Sequence, residues 1–235
     1  MRDYAVEIQK RVAFIRGVLD SAGASGVVYG NSGGKDSALT GILCKKACDN
    51  TVGLIMPCGS RRNNMEDKED AEMVARQFNI ELRTVDLTAV RSAFVDTLTD
   101  EVMLTPDALA NIAPRLRMTA LYAVAASENR LVAGTGNRSE YYMGYFTKWG
   151  DGAYDFNPVA DLTVTEIYEF LRYLNVPENI ITKAPSAGLY DGQTDEGEMG
   201  ITYKSIDEFL LTGKVSDEEK KIIEGDKHEN DAEIK

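Results

Sequence analysis

Apolar residues along the chain recur with two alternating periods, one typical of helices and one typical of buried strands. The stretch 3–22 carries an apolar stripe at helical spacing, and the short apolar run 26–30 is typical of a buried strand. The alternation continues, with strands predicted over 51–56, 80–85 and 131–133 and helices over 36–43, 64–77, 87–99, 114–128 and 163–173. Short apolar strands separated by helices favour an α/β fold, a Rossmann-like sheet of about five parallel strands with helices on both faces.

Two polar, glycine-rich loops follow predicted strands at the same edge of this sheet. One begins after Tyr29 and the other after Ala133. In open parallel sheets, ligands bind outside the carboxyl ends of the strands, near the point where the strand order reverses. We therefore expect both loops to contribute to one binding site.

The character of the chain changes beyond residue 145, where polar, glycine-rich loops flank the helix predicted over 163–173. We find no internal repeat and expect a single domain over residues 1–215. Residues 216–235 are densely charged. We expect them to form a solvated helix that frays into a disordered tail, or a tail that is truncated in this sequence.

Composition narrows the class of partner. Of the 235 residues, 38 are acidic and 26 are basic, which gives a formal net charge of −12. This balance opposes nucleic-acid binding, because clustered lysine and arginine hold a phosphate backbone. No stretch approaches the roughly 20 apolar residues that span a membrane, and the N-terminal residues lack a signal-peptide core. We expect a cytoplasmic protein without membrane attachment, and three cysteines without CxxC spacing fit that placement.

The loop after the first predicted strand has the properties of a phosphate site. Its residues are Gly30, Asn31, Ser32, Gly33, Gly34, Lys35, Asp36 and Ser37. The central glycines let the backbone approach a ligand closely, and the next helix points free N–H groups and a positive dipole end toward that ligand. The serines can donate hydroxyl hydrogen bonds to phosphate oxygens, and Lys35 adds a charge. The spacing matches neither a Walker A loop nor the G-x-G-x-x-G dinucleotide motif.

Asp36 is the residue of this loop that says most about its ligand, because it is an acid in a predicted phosphate site. A carboxylate beside a pyrophosphate repels it unless a divalent cation lies between them, so Asp36 is predicted to bind Mg²⁺. The alternative is that Asp36 only caps the helix and the glycines only make a tight turn. The strand–turn–helix context favours the phosphate site.

Residues 32–37 resemble the SGGxDS signature of the N-type ATP pyrophosphatases, the PP-loop enzymes, which cleave ATP between its α and β phosphates. Later segments resemble the ammonia-dependent NAD⁺ synthetases of that superfamily and occur in the family's order. These segments are 111–118, 134–140, 144–152, 184–187, 192–196 and 198–203. The resemblance covers roughly residues 5–212, and it implies that residues 1–215 are a single NAD⁺ synthetase domain with an adenine nucleotide α-hydrolase-like fold.

The resemblance also implies roles for individual residues. The residues implied to bind ATP are Gly30, Asn31, Ser32, Gly33, Gly34, Lys35, Asp36, Ser37, Thr135 and Ser186. Asp36 and Glu140 are the implied Mg²⁺ ligands. The residues implied to bind deamido-NAD⁺, the dinucleotide acid that is amidated, are Arg115, Lys148 and Asp155. Two of these are cations, which suit an anionic substrate.

Each of these later residues also has a simpler interpretation. Glu140 could cap the helix that follows Asn137, and Asp155 could be a turn residue. Lys148 could be a surface lysine, and Arg115 could pair with a surface acid, an arrangement that contributes little energy. Their occurrence together and in family order favours the functional interpretation.

Two positions depart from the family. Many members carry an ATP-binding lysine where this chain has Val164, so that cation is missing or is supplied elsewhere, with Lys35 the first candidate. The family's C-terminal His-Lys-Arg segment is not recognisable. Residues 227–230 are a degraded counterpart at best, through truncation or divergence, and His228 is expected to be a solvated tail residue.

The implied reaction has two steps. A carboxylate oxygen of deamido-NAD⁺ attacks the α-phosphorus of ATP, which gives an acyl adenylate and pyrophosphate. Ammonia, free or from a partner protein because the motifs leave no room for a glutaminase, then expels AMP and forms the amide. No residue is assigned as acid or base, and the resemblance implies a homodimer. The alternatives are a PP-loop ligase for another carboxylic acid and a non-catalytic nucleotide-binding relative.

Overall fold

The structure, a computed structural model, describes residues 2–59, 64–186 and 194–233, with side chains described as far as Gly225 except at 64 and 65. Its elements in chain order are α1 (Tyr4–Ala22), β1 (Gly26–Gly30), α2 (Lys35–Ala47), β2 (Thr51–Ile55), α3 (Asn64–Phe78), β3 (Glu81–Thr84), α4 (Thr88–Thr99), α5 (Pro106–Glu128), β4 (Arg130–Ala133), α6 (Arg138–Met143), α7 (Val164–Tyr173), α8 (Glu178–Thr182), α9 (Asp195–Met199), α10 (Tyr203–Thr212) and α11 (Asp217–Glu233).

The strands form one parallel sheet in the order β3-β2-β1-β4. The predicted α/β fold is confirmed, but within the described residues the sheet has four strands rather than about five. Phe156 extends it only as an isolated parallel bridge to Ala133. The sequence gives no clear signal for a strand there, because the segment after residue 150 has no apolar run of strand length.

Successive residues of β1 point to opposite faces of the sheet, as the pleat requires. Val27 and Tyr29 join the larger core cluster with α1, α2, α3 and α7, whereas Val28 joins a second cluster with α5. All three are fully buried. Helices therefore cover both faces, which explains why this strand is an uninterrupted apolar run.

The helix predicted over 114–128 begins eight residues earlier, at Pro106. Its start has clear chemical signals, because the Thr105 hydroxyl accepts a hydrogen bond from Ala108 N and Pro106 occupies the first turn. Pro114, taken as the start in the prediction, lies inside the helix. Four short helices that the apolar pattern does not predict are α6, α8, α9 and α10.

The charged C-terminal segment is more closely attached to the domain than predicted. Residues Asp217–Glu233 form helix α11, and Ile223 is fully buried in a third cluster with Met143, Ile206 and Tyr203. The first half of this segment therefore packs on the domain. In the described part of the chain, no helix is long and apolar enough to cross a membrane.

Candidate active site

The strand order brings two loops together at the carboxyl edge of the sheet. Strand β1 lies between β2 and β4, so the loop after β1 neighbours the loop after β4 at a topological switch point. The turn after β1 also packs against α3. Gly33 has a φ of +78°, and a Cβ added to it would lie 2.2 Å from the backbone oxygen of Asp67. A glycine is therefore required there both by conformation and by space.

The carboxylate of Asp36 does not cap its helix. Helix α2 begins at Lys35 with Gly34 as the N-cap and without a side-chain capping hydrogen bond, so the capping alternative is wrong. Instead, Asp36 Oδ1 accepts a hydrogen bond from Asn137 Nδ2 at 3.1 Å, and Oδ2 accepts one from Lys35 Nζ at 2.7 Å. The carboxylate is thus directed at the loop after β4.

Glu140 approaches the Asp36 carboxylate from α6, the helix that follows the loop after β4. It caps α6, as its simpler interpretation proposed, because Oε2 accepts a hydrogen bond from Asn137 N at 3.0 Å. Its other oxygen, Oε1, lies 3.8 Å from Lys35 Nζ. Burial and the neighbouring Asp36 charge raise the pKa of Glu140, while the Lys35 ammonium lowers it. Capping and a site role are therefore compatible in one side chain.

Lys35 lies between the two carboxylates. Its side chain is only 6% exposed, and its ammonium lies 5.5 Å from the centre of the Tyr203 ring. Burial lowers the pKa of Lys35, but the charges of Asp36 and Glu140 raise it by more, so the ammonium remains charged. The sequence predicts a phosphate contact for this lysine, and in the structure its partners are the two proposed metal ligands.

The donor set at this point fits a magnesium ion. Mg²⁺ is commonly held by one or two carboxylates, with substrate phosphates and water completing its shell. The carboxylates of Asp36 and Glu140 converge on one ammonium, which marks a place where a cation is stabilised. Among the residues described, no cluster of three or more acidic, histidine or cysteine side chains could hold a metal by protein ligands alone. A two-carboxylate site shared with phosphate is the arrangement that fits.

The remaining residues of the predicted ATP loop form a compact turn. Gly33 N donates to Asn31 Oδ1 at 3.2 Å, Gly34 N donates to Ser32 Oγ at 3.3 Å, and the hydroxyls of Ser32 and Ser37 lie 3.2 Å apart. The loop therefore gathers main-chain N–H groups and hydroxyls on one small surface.

Two further residues predicted to bind ATP lie outside this turn. Thr135 follows directly after β4 at the same sheet edge. Ser186 is exposed and is the last residue described before a gap at 187–193, which contains parts of two motifs of the resemblance.

The three residues predicted to bind the acid substrate are divided between two places. Arg115 Nε donates to the backbone oxygen of Lys148 at 3.1 Å, so these two exposed residues are neighbours. Among the residues that the structure describes, Arg115 forms no ion pair with an acid, so the surface-acid alternative has no support there. Asp155 instead accepts from Tyr122 Oη at 3.1 Å and from Val132 N at 2.7 Å, which anchors it to β4.

The sequence analysis overlooked Asn137 and Tyr203 as site residues. Asn137 is fully buried and joins the two loops through Asp36, and the Asn-x-x-Glu spacing of a capping box could have identified it. Tyr203 lies in α10 and stacks under the Lys35 ammonium, and its hydroxyl donates to Asp195 at 3.0 Å. No local sequence signal indicates that contact, because it depends on how α10 packs.

The switch point between β1 and β4, the glycine turn and the SGGxDS sequence together define a PP-loop type of α/β fold. The chain belongs to the NAD synthase family, whose model matches residues 7–234. This result confirms the resemblance inferred from the motifs.

Individual relatives agree with this membership. The chain is 54% identical over 213 residues to the NH(3)-dependent NAD(+) synthetase of Carboxydothermus hydrogenoformans, which covers 89% of this chain and 86% of that protein. Among solved structures, the NMN synthetase of Francisella tularensis has a TM-score of 0.91 at 39% identity, covering 97% of this chain and 94% of that one. The NH3-dependent NAD synthetase of Campylobacter jejuni has a TM-score of 0.80 at 33% identity, covering 100% and 97%.

Proposed function

We propose that the protein amidates deamido-NAD⁺ to NAD⁺ with ammonia, at the expense of ATP, which it cleaves to AMP and pyrophosphate. One observation carries this proposal. The carboxylates of Asp36 and Glu140 both face the Lys35 ammonium beside the glycine turn, in a chain of the NAD synthase family. This is a ligase reaction in which the substrate carboxylate first attacks the α-phosphorus of ATP and ammonia then attacks the activated carboxyl group.

The residues divide into two groups by the ligand that we assign to them. Residues 30–37, with Thr135 and Ser186, bind ATP, and Asp36 and Glu140 hold Mg²⁺. Arg115 and Lys148 bind the anionic parts of deamido-NAD⁺, and Asp155 contacts the same substrate from its separate place beside β4. The hydrogen bond from Arg115 to the Lys148 backbone supports the second group, because it holds two basic residues in one part of the surface, and basic side chains suit a carboxylate or pyrophosphate.

Catalysis in this scheme rests on position and charge rather than on a protein nucleophile. The free N–H groups at the start of α2 hold the phosphates so that the substrate carboxylate faces the α-phosphorus, while the hydrogen bonds of Gly33 N and Gly34 N keep the turn in shape. When bound, Mg²⁺ neutralises the pyrophosphate that leaves. Ammonia then attacks the acyl adenylate, and we assign no residue as its base.

The reaction is tested by incubating the protein with ATP, Mg²⁺, ammonium and deamido-NAD⁺ while pyrophosphate, AMP and NAD⁺ are followed. We expect the three products in equal amounts and none when deamido-NAD⁺ is omitted. ATP binding without any product would favour the non-catalytic relative, and pyrophosphate release with only a different acid would redirect the substrate.

A second candidate substrate is the mononucleotide acid whose amidation gives NMN. Its support is the TM-score of 0.91 to the Francisella tularensis NMN synthetase, which exceeds that to the Campylobacter jejuni enzyme. A competition assay with both acids at equal concentration separates the candidates, because the ratio of amidated products equals the ratio of kcat/KM values. We expect the dinucleotide to be preferred, and an excess of NMN would reverse the assignment.

We also propose that the protein is a homodimer through helix α4 and the residues that follow it. Helix α4 has no buried residue, and its Val90 and Phe94 are each about half exposed. Val102 and Met103 continue this apolar surface, with Met103 94% exposed. An exposed apolar patch of this kind is typical of a protein interface.

We place the reaction in the cytoplasm. Cys44, Cys48 and Cys58 are all free thiols, which is the state that a reducing compartment maintains. Production of NAD⁺ from cytoplasmic ATP is consistent with that location.

A further inference from the structure

The ammonium of Lys35 occupies a position that needs explanation. Lysine is almost never fully buried unless it is paired, because removing an ammonium from water is costly. Lys35 is the first residue of α2, where a side chain could extend to solvent, yet 94% of it is buried. Its Nζ instead contacts Asp36 and lies near Glu140 and the ring of Tyr203.

Asp36 and Glu140 have four carboxylate oxygens, of which two face Asn137 and two face Lys35. Asn137 donates to Asp36 Oδ1 and to Glu140 Oε2, through its amide side chain and its backbone respectively. The Lys35 ammonium faces the other two, with its Nζ 2.7 Å from Asp36 Oδ2 and 3.8 Å from Glu140 Oε1. A divalent ion shared by both carboxylates needs one oxygen from each, and the oxygens not used by Asn137 are those that Lys35 faces.

We infer that Lys35 is a resident counter-cation, which offsets part of the negative charge of Asp36 and Glu140 while no divalent ion is bound and leaves them when one binds. This inference rests on the proposed Mg²⁺–ATP site, and it adds a competition that the proposed function does not require. The released ammonium has a new partner in the ATP phosphates, because the same loop holds them. Lys35 is thus a positioning residue that links metal binding to nucleotide binding.

The competition has a measurable consequence without nucleotide. In the unaltered protein, Mg²⁺ must displace a charge-assisted hydrogen bond before it reaches both carboxylates. Without the lysine, the two carboxylates repel one another and a divalent ion becomes their only cation. Removal of Lys35 should therefore tighten Mg²⁺ binding and should make the fold depend on the ion.

The test compares Lys35→Gln with the unaltered full chain and with Lys46→Gln, an exposed lysine of the same helix. Mg²⁺ alone is titrated by calorimetry, and melting is measured in EDTA and in Mg²⁺. We expect Lys35→Gln to bind Mg²⁺ about tenfold more tightly, the effect of one competing hydrogen bond to a charge. Its Tm should fall in EDTA and recover in Mg²⁺, whereas Lys46→Gln should match the unaltered protein.

The result that overturns the inference is Mg²⁺ binding no tighter in Lys35→Gln, with no recovery of Tm by the ion. If Lys35→Gln does not fold, the double variant Lys35→Gln/Asp36→Asn decides, because it removes one charge of each sign. A folded double variant supports a charge role for the lysine, and an unfolded one overturns it, because the lysine then only packs. Neither readout needs NAD⁺ formation, so loss of the proposed activity and loss of this competition are separate results.

Discussion

Asp36 and Asn137 show how much of the site depends on single side chains. Asn137 caps α6 by accepting hydrogen bonds from Ser139 N and Glu140 N, and its amide also donates to Asp36. One buried residue therefore fixes both proposed metal ligands. Asp36 could be identified from the sequence because its charge conflicts with a phosphate loop, whereas Asn137 has no comparable conflict.

Asp36→Asn should nearly abolish pyrophosphate release and should also lower the free energy of unfolding, because it leaves the buried Lys35 ammonium without its 2.7 Å partner. The substitution removes the charge that we assign to Mg²⁺ binding but keeps the shape of the side chain, and removal of one group that stabilises charge in the transition state lowers kcat by about 10²–10³-fold. Product formation is measured beside the unfolding midpoint. The control is Asp49→Asn, whose side chain is 99% exposed and should have no effect. Unchanged turnover in Asp36→Asn would contradict the metal assignment.

Gly33→Ala should lower stability and nucleotide affinity together. Its φ of +78° disfavours any side chain, and the new Cβ would meet the Asp67 backbone oxygen at 2.2 Å, so we expect a loss of about 1–3 kcal/mol. Urea unfolding and ATP binding measure the two effects.

The matched control for this change is Gly17→Ala. Gly17 lies inside α1 with nothing within 4 Å of an added Cβ. That variant should gain about 0.5–1 kcal/mol, because alanine restricts the unfolded chain and favours a helix. A stable Gly33→Ala with full ATP affinity would show that the turn can relax.

At the scale of elements, α1 is attached to the site through a salt-bridge network. The Arg11 guanidinium donates to both oxygens of Asp161, at 2.7 and 3.1 Å, and to Pro158 O. From the same segment, Asn157 Nδ2 donates to Gly136 O at 2.8 Å, in the loop after β4. The N-terminal helix therefore helps to place the loop that carries Glu140.

Asp161→Asn should destabilise the fold at neutral pH, and the difference should vanish in acid. Burial raises the pKa of Asp161, but the hydrogen bond and charge of Arg11 lower it by more. A lowered folded pKa means that the carboxylate stabilises the fold above its ordinary value of 3.8 and loses this effect as the pH falls through the folded pKa. Because Asp161 is partly exposed, we expect only about 1 kcal/mol.

The measurement is the free energy of unfolding in urea, from neutral pH to below about pH 4. The exposed Asp20→Asn serves as the control for a change of net charge. A difference that persists unchanged into strong acid would show that the carboxylate contributes through shape and not through charge.

The elements that the sequence predicted are those whose signals are local. Strands β1 and β2 are short runs buried on both faces, β4 ends in the buried pair Val132 and Ala133, and α1 ends one residue before Gly23, which has a positive φ. Helices α8 and α9 have five residues each, too few to show a helical period. The network of Arg11 was not predicted either, because its partners are about 150 residues away in the chain.

At the scale of the whole molecule, the strand order decides which motifs meet. The sequence predicts that the loops after Tyr29 and Ala133 share one edge, and the parallel sheet places them side by side at β1 and β4. The position of Lys35 could not be predicted, since it depends on Tyr203 from a helix near the C-terminus. The site therefore needs the complete domain, although its signature occupies six residues.

Phe94→Glu should convert the proposed dimer into a monomer. Phe94 lies at the centre of the exposed apolar surface of α4, where two facing glutamates would repel one another at an interface. Molar mass by size-exclusion chromatography with light scattering measures the change. Leu211→Glu is the control, because Leu211 is 52% exposed on α10, outside α4. A protein that is monomeric before any substitution would exclude this interface.

The segment beside Arg115 carries an optical probe of its own. Trp149 is the only tryptophan of the chain, it is 69% exposed with a φ of +63°, and the Lys148 ammonium lies 5.6 Å from its ring. An indole in water emits at longer wavelength than one shielded from it, and a nearby charge shifts that emission. Fluorescence of the unlabelled protein should therefore report arrival of the acid substrate at Lys148 in real time, separately from events at the phosphate loop.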